Sequence, residues 1–391
     1  MPGKSQGKTT RGFRICCGLA LSILASAPRA GVAAGRPPRA RPRVKEIRFG
    51  LIDPPVIAQR DITVRAATSN QNPEPKPLEC SGLAWVDGYL IVSSDRHQHL
   101  LFTCAVDLAR MTIAEPRPHV IISNEQNLLD DAESVTVRRR PDGSWLVYVM
   151  CSLSNDNRQL PLPMRRHMLR LALRPGEPFS FQGVTVLGAG KIRQRVDREF
   201  KAVGVQPYRT YYGEHPGADK NTYRWGNVEG IAFTPDASRM LCGMRNPLFG
   251  GAALMLAVRG ADDALTAADA GRFEVTDVFP LDLDRRGVSD LCWDPVTKGY
   301  LIAAAKSNGP KLDDDQPFPP NTLDSALFWW SGHKTDKPVL FATAPDMKVE
   351  AVCRLGTSRF IAVGSDEGDV SEGREQRQSV LTIMDFTGVA R

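Results

Sequence analysis

The chain has 391 residues, 42% hydrophobic, 24% charged and 7% aromatic, a globular composition that excludes a disordered or collagen-like chain. Its 33 Gly and 29 Pro suit many short strands better than a helical bundle. The formal charge of +6 is misleading: ten of the 50 basic residues lie in residues 1–45 with no acid among them, so residues 46–391 carry 40 bases against 44 acids, without the basic face that nucleic-acid binding needs.

Residues 1–34 read as an export signal. Lys4 to Arg14 form a basic stretch and Ile15 to Leu24 an apolar core. Small-x-small sites follow at Ala25-Ser26-Ala27 and Val32-Ala33-Ala34. The apolar run is too short for a span of about 20 residues, and no other segment is a transmembrane candidate. The expected mature protein is therefore periplasmic or secreted, with no transmembrane segment after signal removal. Residues 35–43 read as a linker stiffened by Pro37, Pro38 and Pro42. Residues 44–391 form the expected folded domain.

A pattern recurs along this domain: an acid or Ser, a small residue, an aliphatic, a small residue, then often an aromatic. It begins at Ser81, Glu133, Glu229, Ser289 and Glu350. Each copy alternates small and large, which is strand periodicity. Turn chemistry follows, as at Asp87-Gly88 and Pro141-Asp142-Gly143, then a second and a third apolar strand and, in most copies, a fourth. Four antiparallel strands in tandem predict an all-β fold, a β-propeller. Five repeats are countable, with a large insertion at 191–227 that could hide a sixth blade. The last repeat runs out of chain after its third strand. Val44–Leu51 or Ile62–Ala66 is expected to supply the missing strand and close the ring.

The insertion holds Tyr208, Tyr211, Tyr212 and Tyr223 with Trp225 and leads straight into Glu229. A lid over the central channel is one reading of it; a flap packed on the propeller's side is the other. Six cysteines lie beyond the signal, widely spaced and without a CxxC, against a zinc site. Cys292 and Cys353 fall on small-residue positions of the inner strand and read as packing. Cys80 and Cys104 are the best candidates for a bridge.

In a propeller blade the start of the inner strand and the loop after the second strand share one face. Sequence position therefore names a mouth. Glu133, Glu229, Asp290, Glu350 and Asp366 are candidate ligands for Ca²⁺, which favours hard oxygen donors. Arg96, Arg245, Asn246, Lys306 and Asn308 are candidates for holding a small anionic ligand. Asp95 and His97, adjacent at the same mouth, are the candidate acid–base residues. Each also has a structural reading, as a partner of backbone amides or of an opposite charge. Glu229 and Arg245 are expected to lie close together there.

The segments ECSGLAWVDGYLIVSSDR (79–96), NVEGIAFTPDASRMLCGMRNPLFGG (227–251) and VEAVCRLGTSRFIAVGSDEGD (349–369) resemble a family of exported bacterial β-propellers. That family is similar in turn to phytase-like, "esterase-like" propellers. The resemblance spans residues 75–390 and implies the fold; two copies depart from it, with Ser81 and Ser289 in place of the acid. Two functional readings stay open: a metal-assisted hydrolase of a small phosphorylated or ester substrate, and a non-catalytic propeller that binds a ligand or a protein.

Overall fold

The computed structural model describes residues 44–49 (backbone only), 78–97, 99–122, 129–154, 163–174, 180–188, 192, 194–195, 198, 227–246, 248, 251–306, 325–344, 347–366 and 379–388. The expected signal and linker, nearly all of the 191–227 insertion, and Asn308 lie outside the described residues.

The strands assemble into five antiparallel sheets, a five-bladed β-propeller. β1 (Val44–Phe49) is an outer strand of the last blade, described below. The first blade holds β2 (Cys80–Val86), β3 (Tyr89–Ser94) and β4 (Leu100–Asp107), with its outer strand in two pieces, β5 (Thr112–Ile113) and β6 (Arg117–Val120), both on β4. The second holds β7 (Ala132–Arg139), β8 (Trp145–Cys151), β9 (His167–Arg174) and β10 (Ser180–Gly188). The third holds β11 (Asn227–Phe233), β12 (Arg239–Asn246), β13 (Ala253–Arg259) and β14 (Glu274–Leu281). The fourth holds β15 (Arg286–Asp294), β16 (Gly299–Lys306), β17 (Ser325–Trp330) and β18 (Val339–Ala344). The fifth joins β19 (Val349–Arg354), β20 (Phe360–Asp366) and β21 (Ser379–Asp385) to β1, which pairs antiparallel with β21 from Val44↔Met384 to Phe49↔Ser379. The first of the two expected closing segments thus completes the ring and covers the edge that β21 would otherwise leave open.

Apolar layers between blades hold the ring together, with Tyr148 of β8 packed on Phe233 of β11 and Trp330 of β17 on Phe279 of β14. A polar clasp adds to one of these seams. In the β13–β14 connection, helix α1 (Ala261–Thr266) presents Asp262 to Arg138 at 2.8 Å, Arg170 at 2.8 Å and Tyr148 at 2.9 Å. No helix among the described residues is long and apolar enough to cross a membrane. The six described cysteines are free thiols, Cys80 and Cys104 among them.

The repeat has a physical cause. In all five inner strands one residue drops out of the pairing, and that residue is the first of the motif: Ser81, Glu133, Glu229, Ser289 or Glu350; the third blade has a second shift, at Arg245 of β12. A β-bulge re-aims the extra side chain and takes nearby backbone groups off the ladder. The next residue faces the crowded axis and is small in four blades. At Gly82 an added Cβ would lie 2.8 Å from the Val135 nitrogen and 2.9 Å from the Ser134 Cα.

The fourth blade places Asp290 at that axial position, where its carboxylate gathers amides from its neighbours. Its Oδ2 accepts from the Val352 amide at 2.9 Å and the Leu83 amide at 3.4 Å. Its Oδ1 accepts from the Leu291 amide at 2.8 Å and the Ser134 hydroxyl at 3.4 Å. Ser134 Oγ in turn accepts from the Ile231 amide at 2.9 Å. One acid and one hydroxyl therefore tie all five inner strands together, satisfying amides that buried backbone cannot leave unpaired.

Candidate functional site

The bulges turn their side chains to one mouth of the central channel. There Glu229 and Glu350 meet on one guanidinium: Arg245 Nη1 lies 2.6 Å from Glu229 Oε2 and 2.8 Å from both oxygens of Glu350. Glu229 and Arg245 are adjacent as expected from the sequence, and Glu350 is a third member. The Arg245 Nε donates to the Lys306 carbonyl at 3.3 Å. Lys348 bridges Glu350 Oε1 at 3.2 Å and Asp366 Oδ2 at 2.6 Å. Asn227 Nδ2 donates to the remaining Glu229 oxygen.

The far side of the mouth belongs to the first two blades. Arg96, half exposed, pairs through Nε with buried Glu79. Asp131 accepts from the Ser152 hydroxyl, from the Ser154 hydroxyl at 2.9 Å and from Arg165 at 3.1 Å. Arg165 also holds Asp130, at 2.9 Å. Ser81, the bulged residue of the first blade, accepts from the Asp95 amide at 3.2 Å. Glu133, the bulged residue of the second, is only 9% exposed and has no hydrogen bond or ion pair among the described residues. The Asp95 Oδ1 and Asn227 Oδ1 atoms are likewise buried without a hydrogen-bond partner there.

Titration separates Glu350 from Glu229, Glu133 and Asp95. Burial works against the charge on Glu350, but Arg245 and Lys348 outweigh it and hold the carboxyl below its usual range. Burial pushes Glu229 up to about 8, against the pull of Arg245. Burial drives Glu133 far above the usual range, and the charges of Asp131, Glu229, Asp95 and Glu350 add to it. Asp95 is driven up by burial and by the charges of Glu79 and Asp366. Lys348 pulls Asp95 the other way and the charge of Arg165 acts on Glu133, yet burial and the neighbouring acids outweigh both.

The remaining residues singled out in the sequence are dispersed. Asn246 pairs in register with Asn227 at the mouth. His97 is buried with its ring edge-on to Phe102, centroids 5.0 Å apart. Asp290 sits at the axis, engaged by backbone amides and Ser134. Among the described residues no three His, Cys, Asp or Glu side chains are grouped as ligands for a metal ion. Of the five residues expected to ligate Ca²⁺, Glu229, Glu350 and Asp366 already hold Arg245 or Lys348, Asp290 is taken up by amides, and Glu133 has no hydrogen-bond or ion-pair partner among the described residues.

Lys348 and Asn227 were not singled out as mouth residues. Each lies two residues before its bulge, the place that Glu79 and Asp131 occupy in their blades. The fourth blade has Gly287 there, where an added Cβ would lie 2.2 Å from the Arg245 carbonyl oxygen. The repeat extended two residues upstream is the signal that finds all of them.

No family model matches the chain, and no curated protein matches it. Similar solved structures include the PQQ-bound aldose sugar dehydrogenase of Streptomyces coelicolor, at 11% identity over 88% of this chain and 99% of that one, TM-score 0.38. A luciferin-regenerating enzyme is similar at 13% identity over 78% and 75%, TM-score 0.33. A gluconolactonase of Xanthomonas campestris is similar at 9% identity over 79% and 87%, TM-score 0.35. Likenesses of this size bear on neither substrate nor site.

Proposed function

We propose that the protein is an exported hydrolase of small esters, with Glu133 and Asp95 as its acid–base pair at the mouth. The carrying observation is Glu133: a buried carboxyl with no partner among the described residues, set among other acids. Carboxyls with such raised pKa values gather at catalytic clefts. Two carboxyls in one another's field do not ionise together, so one keeps its proton while the other is charged. Ester hydrolysis uses that combination. The charged carboxylate takes a proton from the attacking water, and the protonated one gives its proton to the leaving oxygen, so no net proton is consumed. Arg96, half exposed on Glu79, is the mouth cation most accessible to a substrate oxygen.

The likeness to esterase-like propellers in residues 79–96, 227–251 and 349–369 supports a hydrolase. A phosphorylated substrate fits less well. Arg245 and Lys348 are held by carboxylates, and a phosphate would bring more negative charge to an acid-rich mouth. Calcium would change that balance. It would be held by Glu133 together with Glu229, Glu350 and Asp366 once these released their cations, and would polarise the scissile group.

The test is a panel of aryl esters and aryl phosphates, assayed with added Ca²⁺ and with chelator. Ester turnover should be insensitive to chelation and fall roughly 10²–10⁴-fold in Glu133→Gln, the contribution of a proton-transferring side chain. Phosphatase activity lost on chelation would favour the calcium reading. Ester turnover unchanged in Glu133→Gln would refute the acid–base role.

A further inference from the structure

We infer that the mouth takes its ligand through a cationic nitrogen, an ammonium-type group seated between Glu133, Asp95 and Asn227. The inference rests on the mouth being the ligand site, as proposed above, but not on the reaction. Its basis is an imbalance of donors and acceptors. The cations of the mouth are engaged: Arg245 by Glu229 and Glu350, Lys348 by Glu350 and Asp366, Arg165 by Asp130 and Asp131. Among the atoms left over are buried acceptors. Glu133 is nine-tenths buried with no hydrogen bond or ion pair among the described residues. Asp95, whose carboxyl shares a hydrogen bond with Glu79, keeps Oδ1 buried and without a donor there.

Asn227 makes the case independent of the acids. It is 2% exposed, and its orientation follows from Nδ2 donating to Glu229. Its Oδ1 is thereby left without a donor among the described residues. Ser289 Oγ, also unpartnered, is a hydroxyl that accepts as readily as it donates. Buried acceptors without donors are costly to the fold, and a ligand that brings donors recovers that cost.

The ligand class follows from geometry. Ca²⁺ takes 6–8 oxygens in a close shell, and no three acidic, His or Cys groups are so arranged among the described residues. An ammonium is a compact charge with three donors and no acceptor, which matches three separate acceptors contributed by three blades. Glu229 and Glu350 meeting on Arg245 display the same solution, with a cation of the chain's own. On the open side Arg96 is taken up by Glu79 and Arg165 by Asp130 and Asp131, and the ligand would provide a cation for Glu133.

Calorimetric titration of the full chain tests this with n-butylamine, its uncharged analogue 1-butanol, and CaCl₂, all at one ionic strength near neutral pH. Butylamine should bind with a Kd at least tenfold below that of butanol. The preference should collapse in Glu133→Gln and shrink in Asp95→Asn. It should persist in Asp236→Asn, an exposed turn acid far from the mouth. Equal affinity for butylamine and butanol, or a preference that survives Glu133→Gln, would overturn the inference. So would saturable Ca²⁺ binding with no amine preference. Should Glu133→Gln fail to fold, Asp95→Asn decides the same question: an undiminished amine preference in that variant would overturn the inference. Ester turnover without amine preference defeats this inference alone; amine preference without turnover defeats the hydrolase reading alone.

Discussion

Asp290 and Glu133 are both buried acids at the start of an inner strand, one step apart in the repeat, yet their surroundings are opposite. Asp290 accepts three backbone amides and the Ser134 hydroxyl. Glu133 accepts nothing among the described residues. Burial raises the pKa of both, but only at Asp290 do hydrogen bonds pull back. A buried acid that is saturated by its own fold is a structural joint. One that the fold leaves unsatisfied lowers stability, and on this difference rests our proposal of architecture at the axis and ligand chemistry at the mouth.

The comparison breaks most sharply at the axis. Asp290→Ala leaves four donors without their acceptor and should destabilise by at least about 4 kcal/mol in urea unfolding, since each orphaned buried donor costs about 1–3 kcal/mol. Asp290→Asn, which keeps one acceptor oxygen, should lose less. A loss under about 1 kcal/mol for Asp290→Ala would mean that the five inner strands do not depend on the joint.

Arg245 tests the satisfied half of the mouth. Arg245→Met takes the only ion-pair partner of Glu229 among the described residues and leaves Glu350 to Lys348 alone, for about 3–5 kcal/mol at neutral pH. The loss should shrink in mild acid, where both glutamates take up protons. A pH-independent loss would point to packing rather than charge.

Glu133→Gln should do the reverse and stabilise by about 1–2 kcal/mol near pH 8 in denaturant titrations, because it removes an uncompensated charge. The sign follows from linkage. A carboxyl whose pKa is higher folded than unfolded contributes stability that is intact below the unfolded value and lost as pH rises through the folded one. The gain should therefore fade toward pH 4, where wild type carries the proton. Glu229, raised to about 8, makes wild-type stability decline between about pH 4.5 and 8. Glu133→Gln should flatten part of that slope; an unaltered slope would count against Glu133.

How much the sequence alone reveals depends on what each residue answers to. Ser81, Glu133, Glu229, Ser289 and Glu350 recur because one local event, a bulge, recurs in each blade, and local events leave a readable period. The closing strand at Val44–Phe49 is legible for a similar reason: a last repeat one strand short demands a partner. Asp290 is harder to read. Ser289 takes the bulge in its blade and moves the acid one residue on, from mouth to axis, a step that needs the register. Lys348 and Asn227 share a place with Glu79, Asp131 and Gly287, five residues with no common chemistry, so only counting back from the repeat marks it. That Glu133 lacks a partner among the described residues depends on side chains from several blades at once, which no linear pattern encodes.

The most direct measurement is the titration of the Glu133 carboxyl itself, followed by carbon-13 NMR in glutamate-labelled protein and assigned by its absence in Glu133→Gln. Glu133 should titrate well above the ordinary glutamate range while Glu350, held by Arg245 and Lys348, titrates below it. A Glu133 resonance that titrates within the ordinary range would show that its charge is compensated after all, and would contradict the division between a saturated axis and an open mouth.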